Sequence, residues 1–307
     1  MFEQPERLAL TRLELAAPTD ADVIVDIQWS GISTGTERLL WTGKMPMFPG
    51  MGYPLVPGYE SVGRIREAGS QSGSKAGDLV FVPGARCYGH VHGLFGGAAS
   101  TVVVPGAKAL VVDEALGEQA TLLALAATGH HAIVAPGSAL PDLIVGHGVL
   151  GRLLARLTVA LGGAAPTVWE TNPERAEGAI GYTVIDPASD PRRDYRSICD
   201  VSGDSRLLDT LISKLAPGGE IVLAGFYSEP LSFAFPPAFM REARIRVAAQ
   251  WHERDLLATK HLAESGALNL DGLITHRRPV TDADNAYRTA FGDPACLKMI
   301  LDWSTPQ

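Results

Sequence analysis

The chain has 307 residues, of which 46% are hydrophobic and 20% charged, and its net charge is −8. That length fits two domains better than one core, and that composition excludes a disordered chain. The acidic balance, with no long basic run, excludes nucleic acid as an expected partner.

The first third reads as short strands broken by glycine and proline. Asp22 to Trp29 (DVIVDIQW) alternates apolar and polar residues, the mark of a half-buried strand. Ser61–Arg66, Leu79–Pro83 and Thr101–Val104 follow, separated by Gly/Ser-rich turns. A small barrel or sandwich is predicted here. Near Gly117 the pattern changes. Glu118–Val134 is rich in Leu and Ala, has no proline, and predicts a helix. Apolar strands alternating with helices come next. Asp142–Val145 leads into Val149–Leu161, where Leu150, Leu153, Leu154, Leu157 and Leu161 mark one helical face. Thr167–Glu170, Tyr182–Ile185, Ser197–Val201, Glu220–Gly225 and Arg244–Ala249 are the further strands expected. That alternation predicts an α/β unit with a doubly wound parallel sheet covered on both faces. Arg254–Ser265 and Asp284–Ala290 predict helices, and Lys298–Asp302 a last strand. The nucleotide domain is expected over residues 117–251, with 1–116 and 252–307 building the other domain.

Cys87, Cys199 and Cys296 lie far apart, with no CxxC or Cys/His spacing, so neither a disulfide framework nor a structural metal site is expected. The start, MFEQPERLAL, lacks a basic-then-apolar leader, and no uncharged apolar run reaches transmembrane length. A cytoplasmic protein without a membrane span is the expectation.

The strongest motif is DLIVGHGVLGRLLARL from Asp142, which holds GxGxxG as Gly146-His147-Gly148-Val149-Leu150-Gly151. An apolar strand precedes it and an amphipathic helix follows, the context that gives this pattern its meaning. Gly146 permits the tight turn, Gly148 lets backbone approach a pyrophosphate, and Gly151 lets the helix pack closely on the sheet. The helix N-terminus offers free N–H groups to phosphates. His147, inside the turn, is expected to touch the cofactor. Glu170 closes the next strand, where a carboxylate accepts hydrogen bonds from ribose hydroxyls and repels a 2′-phosphate. NAD is therefore the expected cofactor, although nearby Arg175 is a group that serves a 2′-phosphate. Ser202 with Gly203, and Gly225 with Phe226, end later strands and are expected along the same edge.

The order of parts resembles the medium-chain dehydrogenase/reductase superfamily over almost the whole chain. The carrying stretches are SGISTGTE from Ser30, PLVPGYESV from Pro54, Gly77-Asp78-Leu79-Val80, APGGEIVLAG from Ala216 and LITHRRPVTDADNAYR from Leu273. The resemblance implies a GroES-like β-rich catalytic domain plus a Rossmann domain. It also exposes departures. The superfamily's first zinc-ligand cysteine would fall near Ser33 or Thr34, and the His of its Gly-His-Glu segment is Tyr59. Hydroxyls are poor zinc ligands beside thiolate and imidazole, so no metal is expected. The strings WSGISTGTERLLWTGKMPMFPGMGYPLVPGYESVGR from Trp29, VPGARCYGHVHGLFGGAAS from Val82 and AGFYSEPLSFAFPPAFMREAR from Ala224 resemble the dehydrogenase family of bacteriochlorophyll biosynthesis. That implies NAD-dependent oxidation of a 3-(1-hydroxyethyl) side chain to 3-acetyl on a Mg-bacteriochlorin, and a homodimer.

Without zinc, other groups must hold the alkoxide and take the proton. Tyr59 is expected to donate to the substrate oxygen, and Glu60 or Glu37 to accept the proton directly or through Thr36. Trp41, Met45, Met47, Phe48, Met51 and Tyr53 form one aromatic and Met-rich cluster. Phe226, Tyr227, Phe233, Phe235, Phe239 and Met240 form another. From the residues alone both are core or dimer interface. The resemblance turns the first, through Trp41, Met45, Phe48, Met51 and Tyr53, toward the pigment. His90, His92, His130 and His131 are the imidazoles considered for the pigment's magnesium, the last two pointing apart on a helix. A zinc-free quinone or enone reductase using NADPH, or a pigment carrier without catalysis, remains the alternative.

Overall fold

The strand Asp22–Ile32 organises the first part of the molecule. Val23, Val25 and Ile27 are buried, as the alternation predicts. One side of this strand pairs antiparallel with Ser61–Ala68. Its other side takes Thr101–Pro105 along the first half and Met299–Asp302 along the second, so distant parts of the chain share one strand. Leu79–Val82, Leu110–Val111 and His276–Pro279 complete a seven-stranded sheet. A separate four-stranded sheet runs in the order Arg7–Leu8, Phe2–Gln4, Leu55–Pro57 and His92–Leu94.

In the second part, six parallel strands lie in the order Thr183–Ile185, Thr167–Trp169, Leu143–Val145, Tyr195–Asp200, Leu215–Leu223 and Arg244–Val247. The chain starts in the middle, winds outward, then returns to wind the other way. The order reverses beside Leu143–Val145, and such a reversal opens a crevice at the carboxyl ends of the flanking strands. The following helix, Val149–Ala160, is buried on nearly every side rather than along one stripe: Leu153, Leu154 and Leu157 are fully enclosed, and Arg152 and Arg156 are buried as well. Each such leucine contributes about 1.5–3 kcal/mol by leaving water.

This computed structural model describes residues 1–227 and 229–304. They divide into two compact units: Met1–Ala124 with the stretch from Ile274 onward, and Leu125–Leu273. These bounds fall later than the 117 and 251 read from the sequence, and two polar anchors explain the second. The helix Glu253–Glu264 is tied to the second unit by Asp255, whose Oδ1 meets His130 Nδ1 at 2.8 Å and whose Oδ2 meets His131 Nδ1 at 3.0 Å. Arg156 then donates to the carbonyls of Asn269 and Asp271 at 2.9 Å each. The helix predicted over Glu118–Val134 is corrected too. Two 3-10 pieces, broken at the non-helical Gly117 (φ 47°), span Glu114–Leu122 before the α-helix Leu123–Ile133 begins.

Asp255 is 2% exposed and accepts three hydrogen bonds, the third from the His252 amide at 2.9 Å. Asp255→Ala is expected to destabilise the second unit by about 2–4 kcal/mol. Urea unfolding followed by far-UV circular dichroism checks this, and a midpoint equal to the parent's would refute the anchor.

Candidate functional site

The dinucleotide motif in the second unit has the geometry its glycines predict. Gly146 leaves the strand at φ 103°, a conformation that disfavours side chains. A Cβ on Gly151 would stand 1.8 Å from the Gly146 carbonyl oxygen, so only glycine lets helix and turn cross there. A Cβ on Gly148 would meet nothing within 4 Å, so that face of the turn is open. Gly148 ends the turn as the N-cap, and Val149 and Leu150 open the helix with no side-chain cap on its amides. Those amides need an acceptor, and a phosphate supplies one. Two other loops reach this turn. A Cβ on Gly146 would lie 3.4 Å from Ser202 Cα, and one on Gly225 would lie 3.2 Å from Gly203 N. Phe226 is 50% exposed beside them. The residues present therefore fit a dinucleotide.

Glu170 sits at the end of its strand, as read, and is half-buried. Its Oε2 accepts from the His147 amide at 3.1 Å and its Oε1 from the Asn172 amide at 2.8 Å. Each oxygen keeps a second lone pair for another donor. Arg175 closes the short helix Pro173–Ala176 just beyond. His147 corrects its expectation. Its ring is fully buried and turned inward, with Nδ1 on the Arg175 carbonyl at 2.5 Å and Nε2 on Tyr182 OH at 2.8 Å. Only its amide belongs to the turn.

In the first unit a polar cluster gathers around Tyr59. The phenol of Tyr59 and the hydroxyl of Ser33 are 2.5 Å apart. Thr36 hydrogen-bonds Tyr59 as well, and burial holds the phenol above its usual pKa, so Tyr59 is a neutral donor. Phe95 packs edge-on against the Tyr59 ring. Glu60 and Lys298 form an ion pair of 2.6 Å with neither side chain exposed, and Lys298 also donates to the Ile32 carbonyl at 3.1 Å. Burial raises the Glu60 carboxyl, and Lys298 opposes that rise. Glu37 is equally enclosed, accepting from the Ser33 amide at 3.2 Å and from Tyr287 OH at 2.9 Å. Burial, with the charge of Glu60, pushes its carboxyl up to about 8. Neither carboxylate reaches a surface. Both carboxyls expected to accept the substrate proton are therefore enclosed, with Glu37 on the Ser33 amide and Tyr287, and Glu60 on Lys298.

The expected pigment surface is divided. Trp41 is 5% exposed and packs against Phe2, Tyr287 and Phe291, so it belongs to a core and not to an open face. Met45, Met51 and Tyr53 are half-buried over the same core, and the Tyr53 hydroxyl donates to the Leu40 carbonyl. Met47 and Phe48 remain exposed, at 81% and 38%. His130 and His131 both turn to Asp255, which corrects the expectation that they point apart. His90 and His92 are exposed, and His92 lies against Gly52.

Lys298, Tyr287 and Arg152 were missed by the sequence reading. Lys298 had a signal: one cation in the apolar run Cys296 to Ile300. Among the described residues, no group of three or more His, Cys, Asp or Glu side chains is arranged to hold a metal ion. No helix among them is long and apolar enough to cross a membrane.

Residues 19–114 match the alcohol dehydrogenase GroES-like domain. Over 300 residues the chain is 58% identical to the 2-desacetyl-2-hydroxyethyl bacteriochlorophyllide A dehydrogenase of Rhodobacter capsulatus, covering 97% of this chain and 96% of that one. It is also 58% identical to the protein of that name from Cereibacter sphaeroides, with the same coverage. Its fold is similar to 2R,3R-butanediol dehydrogenase from Bacillus subtilis, with a TM-score of 0.86 at 19% identity over 100% of this chain and 98% of that one. An alcohol dehydrogenase from Escherichia coli complexed with NADH aligns with a TM-score of 0.83 at 21% identity, over 98% and 97% of the two chains.

Glu37 makes stability depend on pH in a defined direction. Its carboxyl is raised from 4.5 to about 8, so the folded protein keeps a proton that the unfolded chain loses. The contribution is complete below about 4.5 and fades as pH climbs to about 8. Glu37→Gln is expected to flatten that decline and to match or exceed the parent's stability at the alkaline end. Denaturation midpoints across the range test this, and parallel slopes in the two proteins would sink it.

Proposed function

The chain belongs to the 2-desacetyl-2-hydroxyethyl bacteriochlorophyllide A dehydrogenase family within the medium-chain dehydrogenase/reductase superfamily, and from that membership we propose that it oxidises the 3-(1-hydroxyethyl) group of 3-hydroxyethyl bacteriochlorophyllide a to 3-acetyl, giving bacteriochlorophyllide a, with NAD as acceptor. The observation that carries this reading is 58% identity across 97% of the chain.

Gly146, Gly148, Gly151, Ser202, Gly203, Gly225 and Phe226 border the crevice assigned to the dinucleotide. NAD bound there supplies an acceptor for the hydride leaving the carbinol carbon. Glu170 supports NAD over NADP, because a carboxylate beside the ribose repels a 2′-phosphate. We read the reaction as zinc-independent: Ser33 and Tyr59 pair with each other, and Glu60 is engaged by Lys298. Tyr59, a neutral phenol, holds the substrate oxygen as a donor. Ser33 and Thr36 carry the released proton away. Glu37 holds the Ser33 amide, and Glu60, paired with Lys298, is the chain neighbour of Tyr59. Met47 and Phe48 offer apolar surface to the macrocycle.

A homodimer completes the reading. Arg244–Val247 is an edge strand, and Val247, Phe235, Phe239 and Met240 nearby are 74%, 67%, 65% and 76% exposed. An open edge with apolar neighbours suits pairing with a second copy. Light scattering should give twice the chain mass, and a monomer at micromolar concentration removes this part.

Purified protein incubated with 3-hydroxyethyl bacteriochlorophyllide a and either NAD or NADP tests the activity. A shift of the long-wavelength pigment band with NAD, matched by NADH, is expected. No shift with either cofactor, alongside NADPH-driven reduction of quinones or enones, would replace this reading with a reductase. Pigment binding without NAD consumption would make it a carrier. Tyr59→Phe is expected to lower kcat by roughly 10²–10³-fold while NAD binding is unchanged. A phenylalanine enzyme as fast as its parent takes Tyr59 out of the reaction.

A further inference from the structure

Beneath the glycine turn lies a buried cation without an ion-pair partner among the described residues. Arg152 is 5% exposed in the first turns of the helix Val149–Ala160. Its guanidinium is met by carbonyl oxygens. Nε donates to His147 at 3.2 Å, Nη1 to Gly178 at 3.1 Å, and Nη2 to Arg175 at 3.0 Å and Glu177 at 2.7 Å. The first carbonyl belongs to the glycine turn. The other three belong to the segment that follows Glu170. His147 makes a second tie, since its Nδ1 also reaches the Arg175 carbonyl. Burial lowers the His147 imidazole to about 4, so the ring is neutral near pH 7. A neutral ring donates from Nδ1 to that carbonyl and accepts at Nε2 from Tyr182 OH.

The clamped segment buries little apolar surface. Pro173–Ala176 buries none of its residues, and residues 177–181 are exposed. Gly178 takes φ 79°, and a Cβ there would stand 2.6 Å from Arg152 Nη1. With no apolar anchor, a loop like this one samples many conformations unless a polar group fixes it. The rigid five-donor fork of arginine suits three carbonyls that diverge, whereas a lysine ammonium cannot span them.

We propose that Arg152, seconded by His147, positions the adenosine half of the cofactor site by locking residues 175–178 to the glycine turn, so that Glu170 and Arg175 present one fixed surface to the adenosine ribose. This rests on the nicotinamide-dinucleotide reading above. It adds a residue that touches no cofactor atom and acts through the loop alone. Affinity follows from pre-organisation: an unlocked loop must be ordered by the ligand, which weakens binding without altering the hydride-transfer geometry.

The test uses the whole protein and needs no pigment for its main readout. NADH binding is titrated by fluorescence, with ADP-ribose and nicotinamide mononucleotide as competing probes of the two halves. For Arg152→Met, NADH and ADP-ribose are expected to bind roughly tenfold more weakly. Nicotinamide mononucleotide should compete as it does in the parent, and kcat at saturating NAD should stay within about twofold. Arg152→Lys, which keeps the charge and loses the fork, should behave like the Met variant. Parental binding in the Lys variant would mean that charge acts and the clamp does not. Gly178→Ala pushes a methyl into the guanidinium from an exposed loop and is expected to give the same split, which keeps the test available if Arg152→Met does not fold. A folded Met or Ala variant that binds NADH and ADP-ribose like the parent overturns the proposal alone. A parent protein that binds no nicotinamide dinucleotide overturns the functional reading, and this proposal with it.

Discussion

The ion pair between Glu60 and Lys298 is the constraint on which the polar cluster of the first unit depends. Both side chains are fully enclosed, 2.6 Å apart, and separated by 238 residues of sequence. Removing one partner from such a pair leaves a bare charge in the interior and typically costs about 3–5 kcal/mol. Lys298 also takes the Ile32 carbonyl, at the end of the strand that pairs with its own. Gly31 is shaped by the same demand, because a Cβ there would stand 2.2 Å from Glu60 Oε2. Tyr59 follows from these facts. It is the chain neighbour of a residue that cannot move, and Ser33 lies one residue beyond Ile32. The hydroxyl pair is therefore held from both sides by one buried charge contact.

How much of this was legible in the sequence depended on the range of the interaction. The two-residue alternation of Asp22 to Trp29 and the leucine spacing after Gly148 are local, and both mark real elements. The glycine motif was legible because its first and last glycines answer local steric needs: Gly146 takes a positive φ, and Gly151 meets the carbonyl of Gly146. Contacts across the chain were not legible. Tyr287 binds Glu37 across 250 residues, and nothing near either residue announces the other. Trp41 misled for the same reason. Its residue cluster read as core or interface, and only the family resemblance turned it toward a flat ligand; its neighbours in space are Phe2, Tyr287 and Phe291. His147 misled differently. Its position in the turn was right, but the backbone sends its ring inward to Tyr182.

On the zinc-independent reading proposed above, the groups that would hold the substrate oxygen are neutral hydroxyls, and a neutral donor works best when aimed without slack. Glu37 serves that purpose. It takes the Ser33 amide while Tyr287 satisfies its other oxygen, so Ser33 is fixed through backbone as well as through its own hydroxyl.

A common device joins these observations: buried or half-buried cations that hold backbone carbonyls. Lys298 binds Ile32, Arg152 binds four carbonyls, Arg156 binds Asn269 and Asp271, Lys214 binds Asp190, and Arg246 binds Ala132. Loops with few apolar residues cannot be fastened by packing, and a carbonyl left without a donor inside a protein costs about 1–3 kcal/mol. A long cationic side chain solves both problems, since its stem packs with the core while its head gathers the carbonyls. Arginine adds one property that carboxylate anchors lack: it keeps its proton at any pH at which the protein folds. The clamp on the dinucleotide turn is thus a guanidinium seconded by an imidazole that is already neutral near pH 7. The group beside the hydroxyls differs: Glu37 has its carboxyl raised to about 8. A change of pH near neutrality therefore acts on Glu37 in the first unit while the charge state of the Arg152 clamp stays the same.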